Sequence, residues 1–211
     1  MNPLFSRRAI LKLEGSIQER VNLFMQILSS SKRSVDLYSG FRSLTLDIIF
    51  DYTYGEDAGA LKYPSFAHPI LVNTEMVIQA GAITRHLPLV FVPRLVLLSI
   101  FPDGVAKTLK SRAKLFVERK AQVQQTGERE TIFSRIIDVE DASLRSLIEE
   151  GDNVLFAGTD TVANACMTGC FYVHNNPEIL EKARAELKNA WQDPNSRMSY
   201  EDLERLPYLA S

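Results

Sequence analysis

Ala157-Gly158-Thr159-Asp160-Thr161 sits in the middle of a stretch, from about Ser143 to Asn175, whose other residues read as one long helix. Apolar positions such as Leu147, Val154, Leu155, Val162, Ala165 and Phe171 surround the axis more fully than a surface helix allows, which places the helix inside a large core. The five residues break the rules of that helix. Glycine in a helix interior costs about 1 kcal/mol relative to alanine. A carboxylate on a near-apolar helix is costly to bury unless it is paired or faces a wet cavity. A threonine hydroxyl can bond back to the carbonyl four residues earlier, which loosens the ladder and favours a bulge. Two accounts fit. In one, the helix is opened beside a ligand and presents an acid and an alcohol to it, with a distorted turn at residues 157–161. In the other, a buried helix tolerates a glycine and satisfies its polar groups locally.

Outward from this stretch the pattern stays helical, which makes the chain all-α. Asn176-Pro177-Glu178 combines an N-cap, a proline at the first helical position and an early carboxylate, three agreeing start signals. Leu180, Ala183, Leu187 and Ala190 form the stripe of the helix that follows, and Ser199 to Asp202 resembles a capping box opening one more short helix. Towards the N-terminus, Ile10, Leu13, Ile17, Val21, Phe24 and Leu28 predict a helix over about 6–29. A second amphipathic helix runs from Val35 to a stop at Gly55, a residue suited to the position after a helix end. Further helices are expected over about 70–83 and 105–124, separated by a proline-broken apolar run at 87–101 and followed by a polar linker at 122–130.

Composition excludes several classes. With 24 Lys+Arg against 26 Asp+Glu there is no broad basic face for nucleic acid. Cys166 and Cys170 are the only cysteines, so a disulfide scaffold is excluded, and they lack a Cys/His set suitable for zinc. They read as small buried side chains. The run at 87–101 is shorter than a membrane span and carries Pro88, Pro93 and Arg94, and no secretory signal opens the chain. His68, His86 and His174 share no ligand spacing.

The ordered set of motifs resembles the cytochrome P450 family. Ala-Gly-Thr-Asp-Thr in a long central helix precedes Asn175-Asn176-Pro177-Glu178 and an Arg-Ala-Glu-Leu context at Leu187. Asn2 to Arg8 looks like the end of the family helix that crosses the haem face. Leu44-Thr45-Leu46-Asp47-Ile48-Ile49 with Tyr54-Gly55 is similar to the next core helix of fungal biosynthetic members such as trichodiene oxygenase, and Leu203 to Leu209 looks like the approach to the Glu-x-x-Arg helix. The resemblance implies the central helical part of the P450 fold, one partial domain over 1–211 cut at both ends. It implies a haem-thiolate monooxygenase that inserts one oxygen atom of O₂ into an apolar secondary metabolite. Its cofactors would be haem and NADPH, the latter acting through NADPH-cytochrome P450 reductase, with no nucleic acid among the partners. The longer family member is expected at the endoplasmic reticulum membrane, and this piece in the cytoplasm or at an unknown location. By motif position Asp160 and Thr161 would be catalytic, delivering protons to bound dioxygen. Ala157 and Gly158 would form the oxygen- and haem-facing turn, and Phe156 and Thr159 would face substrate or haem. The segment at 86–101 falls in the substrate-access region, as either a membrane-surface contact or a buried loop.

The departures matter as much. The family's iron ligand is a cysteine in a Phe-x-x-Gly-x-Arg-x-Cys-x-Gly loop, which this sequence lacks, so no metal ligand is expected in the chain. Glu181-Lys182-Ala183-Arg184 mimics the Glu-x-x-Arg pair but lies too early in the family order, where an i,i+3 pair is a solvated contact. Arg7 and Arg8 read as exposed-helix charges. The alternatives to a monooxygenase are a truncated, haem-free pseudoenzyme, with this exact chain inactive, and a plain helical interaction domain. The ordered matches disfavour the last.

Overall fold

A computed structural model describes residues 6–75, 131–132, 144–193, 196 and 198–210, with the backbone alone for 144–149. All regular structure among the described residues is helical. Helix α1 (Arg7–Leu11) is capped by the Ser6 hydroxyl, which accepts from Ala9 N–H at 3.3 Å. Helix α2 (Glu14–Ser30) follows almost at once. The single helix expected over 6–29 is therefore two, because the ladder tightens where Leu13 N–H donates to Ile10 C=O at 2.9 Å, three residues back.

Helix α3 (Leu37–Tyr54) is the structural axis of the described residues. Asp36 caps it, accepting from the amides of Tyr38 and Ser39, and the Ser39 hydroxyl holds its carboxyl below the ordinary carboxylate range. Gly55 closes it with φ at +72°, a left-handed conformation that suits glycine, as the sequence suggested. Along one side, Leu44 packs with Phe24, Leu61 and Phe66. Along another, Leu46, Phe50 and Tyr54 pack with Ala60, Leu71 and Leu155. Asp47, only 2% exposed, accepts the amides of Ala60 and Leu61 at 2.8 and 3.0 Å, which folds the 55–61 loop back over the helix. Asp51 takes the Ser16 hydroxyl at 2.6 Å and lies 3.7 Å from Arg20, tying α2 to α3.

Helix α4 (Leu144–Asn175) lies against α3 and is unbroken over its 32 residues. Helix α5 (Pro177–Ala190) starts at the predicted proline, but the Asn176 side chain donates back to Tyr172 C=O instead of capping the new helix. Helix α6 (Tyr200–Leu203) is capped by Ser199, whose hydroxyl accepts Asp202 N–H and donates to its carboxylate. Glu186 accepts the amides of Tyr208 and Leu209, and Arg7 pairs with Glu204 at 2.6 Å on the surface.

The structure corrects the expectation that the long helix is enclosed. One face of α4, with Leu155, Thr159 and Ala163, is buried, while Phe156, Val162, Phe171 and Tyr172 stand open, Phe156 at 50%. Among the described residues no helix is long and apolar enough to cross a membrane. The expected helical residues 70–83 are helical as far as 75. The remainder, together with His86, the run at 86–101, the helix at 105–124 and the linker at 122–130, lies outside the described residues.

Candidate functional site

The five residues that decided the reading of the sequence are divided by the packing of α4 on α3. Gly158 faces α3 so closely that a Cβ there would stand 2.6 Å from Ile49 Cγ1. Glycine is needed at this point for helix approach, and residues 157–161 remain regular α-helix, so the expected distorted turn is not formed. Thr159 is on the same side, 4% exposed. Its hydroxyl donates to Leu155 C=O at 2.6 Å, and its own carbonyl accepts the Thr45 hydroxyl at 2.9 Å. Its setting is the helix interface, away from the open surface. The Thr159 hydroxyl is thus satisfied within its own helix, by the carbonyl four residues back.

Phe156, Ala157 and Thr161 lie on the open side of α4. The Thr161 hydroxyl donates to Ala157 C=O at 2.6 Å, which engages its proton and leaves its oxygen lone pairs facing outward as acceptors. Successive helix positions diverge by about 100°, so Asp160 projects elsewhere. No hydrogen bond joins Asp160 to Thr161 among the described residues; the acid and the alcohol are neighbours in sequence only.

Asp160 is largely buried, its side chain 14% exposed, and Arg42 of α3 donates Nε–H to its Oδ1 at 2.6 Å. Arg42 is 4% exposed and fully engaged. One guanidinium nitrogen reaches Glu75 at 3.2 Å, the other donates to Leu71 C=O at 3.3 Å, and the Tyr38 ring lies over the group at 5.4 Å. The second carboxylate oxygen, Asp160 Oδ2, is buried without a hydrogen-bond partner. Leaving a buried polar atom unsatisfied costs about 1–3 kcal/mol, more for a charged group, so such atoms in folded proteins call for a reason. Arg42 was missed in the sequence. Its signal was its place on the stripe Tyr38, Arg42, Thr45, Ile49, where an arginine among interface positions asks for a buried acid.

The cysteines are not buried as expected. Cys166 is exposed and Cys170 half-exposed on α4. Desolvation against the helix, with a smaller contribution from Cys170, pushes the Cys166 thiol above its ordinary range and disfavours a thiolate. Glu181 and Arg184 are both exposed, and no ion pair joins them among the described residues. His68 accepts Ile70 N–H and stacks edge-on against Tyr63, His174 is exposed, and no group of three metal-ligating side chains occurs among the described residues. For a haem, the residues fit one wall of the site. An open apolar helix face with a small residue and a hydroxyl would suit one wall of a haem pocket, whereas the Asp160 carboxylate projects toward α3 and Arg42, and neither cysteine stands in the family's ligand loop.

The whole chain, residues 1–211, matches the family model described as Cytochrome P450. The cytochrome P450 monooxygenase astB of Aspergillus terreus is 29% identical over 99% of this chain and 44% of its own length. The cytochrome P450 monooxygenase TRI4 of Trichoderma arundinaceum is 28% identical over 99% of this chain and 43% of its own. Among solved structures, a cytochrome P450DA haem domain superposes with a TM-score of 0.81 at 17% identity, covering 98% of this chain and 45% of that one, which is a likeness of fold.

Proposed function

Because the chain belongs to the cytochrome P450 family across residues 1–211, we propose that it is the central part of a haem-thiolate monooxygenase that inserts one oxygen atom of O₂ into an apolar secondary metabolite. It spans about 44% of the length of its fungal relatives, so the activity is that of a longer protein containing it. The observation that carries the reading is Asp160, a buried carboxylate with one oxygen unsatisfied, one position from a hydroxyl on an open apolar face. When bound, haem supplies the activation of dioxygen, fed by electrons from NADPH through NADPH-cytochrome P450 reductase.

The residues divide the work. Phe156 and Ala157 form an apolar wall that excludes water beside haem and substrate. Thr161 Oγ1 accepts a hydrogen bond from the reacting side, because its own proton is engaged by Ala157 C=O. Asp160 Oδ2 is the acceptor through which a proton from water is passed inward. Gly158 and Thr159 hold α4 against α3 from behind. The longer protein would lie at the endoplasmic reticulum membrane. The alternative reading is a haem-free P450-like protein that keeps the helical core without the reaction.

The test is the longer protein containing this chain, loaded with haem and supplied with its reductase. A thiolate-type absorption band in the reduced, carbon-monoxide-bound state and product formed in proportion to NADPH consumed support the enzyme. Absence of both selects the second reading.

A further inference from the structure

The geometry points to Arg42 as a positioning residue that aims the Asp160 carboxylate, an inference that rests on the proton-handling role proposed above. Only one carboxylate oxygen is tied. Arg42 Nε–H fixes Oδ1 at 2.6 Å, and Oδ2 is left buried and unpartnered. A carboxylate tied through one oxygen is restrained about its terminal torsion, so the second oxygen is biased to one direction with its lone pairs unspent. A structural arginine would satisfy both oxygens in a bidentate fork, which is the favoured geometry of this pair. Here the fork is spent elsewhere. The remaining nitrogens go to Glu75 and to Leu71 C=O, on the helical residues 69–75, and Tyr38 covers the group. Arg42 itself is therefore held from three sides, and its single bond to Asp160 is a fixed mount. Nothing in the hydroxyl, apolar wall or glycine of α4 could supply that aim, because α4 presents no cation near Asp160 among the described residues.

The experiment compares Arg42→Gln, Arg42→Lys and Asp160→Asn in the longer, haem-loaded protein containing this chain. Product per NADPH, peroxide released, and kcat against KM are read for each. Arg42→Gln should lower product per NADPH roughly ten- to hundredfold, as a misaimed reacting group does, with KM little changed and peroxide rising. Arg42→Lys, which keeps the charge, should recover part of the coupling. A readout that needs no turnover is a double-mutant cycle of denaturant unfolding. The midpoint shifts of Arg42→Gln and Asp160→Asn should be non-additive, which shows the two groups acting together. If Asp160→Asn uncouples and Arg42→Gln couples like the parent, the Arg42 inference is overturned and the role of Asp160 stands. If neither uncouples, the proton-handling reading itself fails. If Arg42→Gln does not fold, Arg42→Lys decides: an unchanged KM with raised peroxide supports the aim, and wild-type coupling overturns it.

Discussion

Arg42 Nε and Asp160 Oδ1, 118 positions apart in sequence, meet at 2.6 Å and join α3 to α4 through a pair almost closed to solvent. Removing one member of a buried pair leaves the other uncompensated, at a cost of about 3–5 kcal/mol. Arg42→Met alone should therefore unfold the protein at much lower denaturant, because the buried Asp160 loses its cation. Adding Asp160→Leu should regain a large part of the loss. Chemical denaturation of the two variants measures this, and a double variant no more stable than the single would show that the pair is not the source of the cost.

Gly158 and Ile49 give a second expectation. A methyl at residue 158 would stand 2.6 Å from Ile49 Cγ1 and 2.8 Å from its Cδ1, well inside van der Waals contact. Gly158→Ala gains helix propensity of about 1 kcal/mol but forces the helices apart, and overpacking costs about 1–3 kcal/mol. The variant should be less stable than the parent, and Ile49→Ala in the same chain should relieve it. A Gly158→Ala protein more stable than its parent would mean that α3 and α4 do not approach this closely.

These two contacts mark what the sequence could and could not disclose. The helices at 37–54, 144–175 and 177–190 were legible because periodicity, Gly55 and Pro177 are local signals, whereas the Asp36 cap emerged only from the structure. The break at Leu13 was not, since the apolar stripe runs through it without interruption. Gly158 drew attention as an anomaly, but whether it opens a turn or admits a neighbouring helix depends on Ile49, more than a hundred residues away. Asp160 was singled out for its cost of burial, while its partner Arg42 lay outside any motif. Burial of all sides of α4 was over-read from composition, because an apolar face in a sequence does not say what covers it.

Stability should depend on pH with two opposite signs. Burial raises the Asp47 carboxyl above its ordinary range, against the smaller opposing effect of the Leu61 and Ala60 amides. The folded state then holds its proton more tightly than the unfolded one, so stability falls as pH rises from the ordinary carboxylate range to the raised folded value. Asp36 behaves the other way. The Ser39 hydroxyl lowers its carboxyl, so its contribution is present above the ordinary range and is lost as pH falls through the folded value. Denaturant midpoints from about pH 3 to about pH 8 should show the deficit of Asp47→Asn shrinking with rising pH, and that of Asp36→Asn growing, before both level off. Parallel curves for the parent and Asp47→Asn would remove Asp47 from the account.

The two threonines of the motif should separate cleanly. Thr159 is buried in the α3 contact and Thr161 lies on the open face, each bonded to the carbonyl four residues back. In the longer haem-loaded protein, Thr161→Ala should release peroxide and lower product per NADPH while stability changes little. Thr159→Ala should lower the melting temperature and leave the coupling per folded molecule intact. The reverse assignment, with Thr159 controlling coupling, would place the reacting face on the wrong side of α4.

Residues 1–211 on their own should not form a thiolate complex with haem. The iron needs an axial ligand whose electronics the protein sets. Cys166 is the more open of the two thiols, and its proton is held more tightly than usual because desolvation on the helix, then the nearby Cys170, disfavours the thiolate. Both cysteines sit on the regular α4 helix, where the backbone is closed by its own ladder and offers no loop to arch over a sulfur. Phe156, Val162, Phe171 and Tyr172 meanwhile expose apolar surface along the same helix, so the isolated chain should be poorly soluble and take up haem only non-specifically. The measurement is the absorption spectrum of the purified chain with excess haem, reduced and exposed to carbon monoxide. A thiolate-type Soret band that disappears in Cys166→Ser or Cys170→Ser would overturn this expectation and make one of these cysteines the iron ligand.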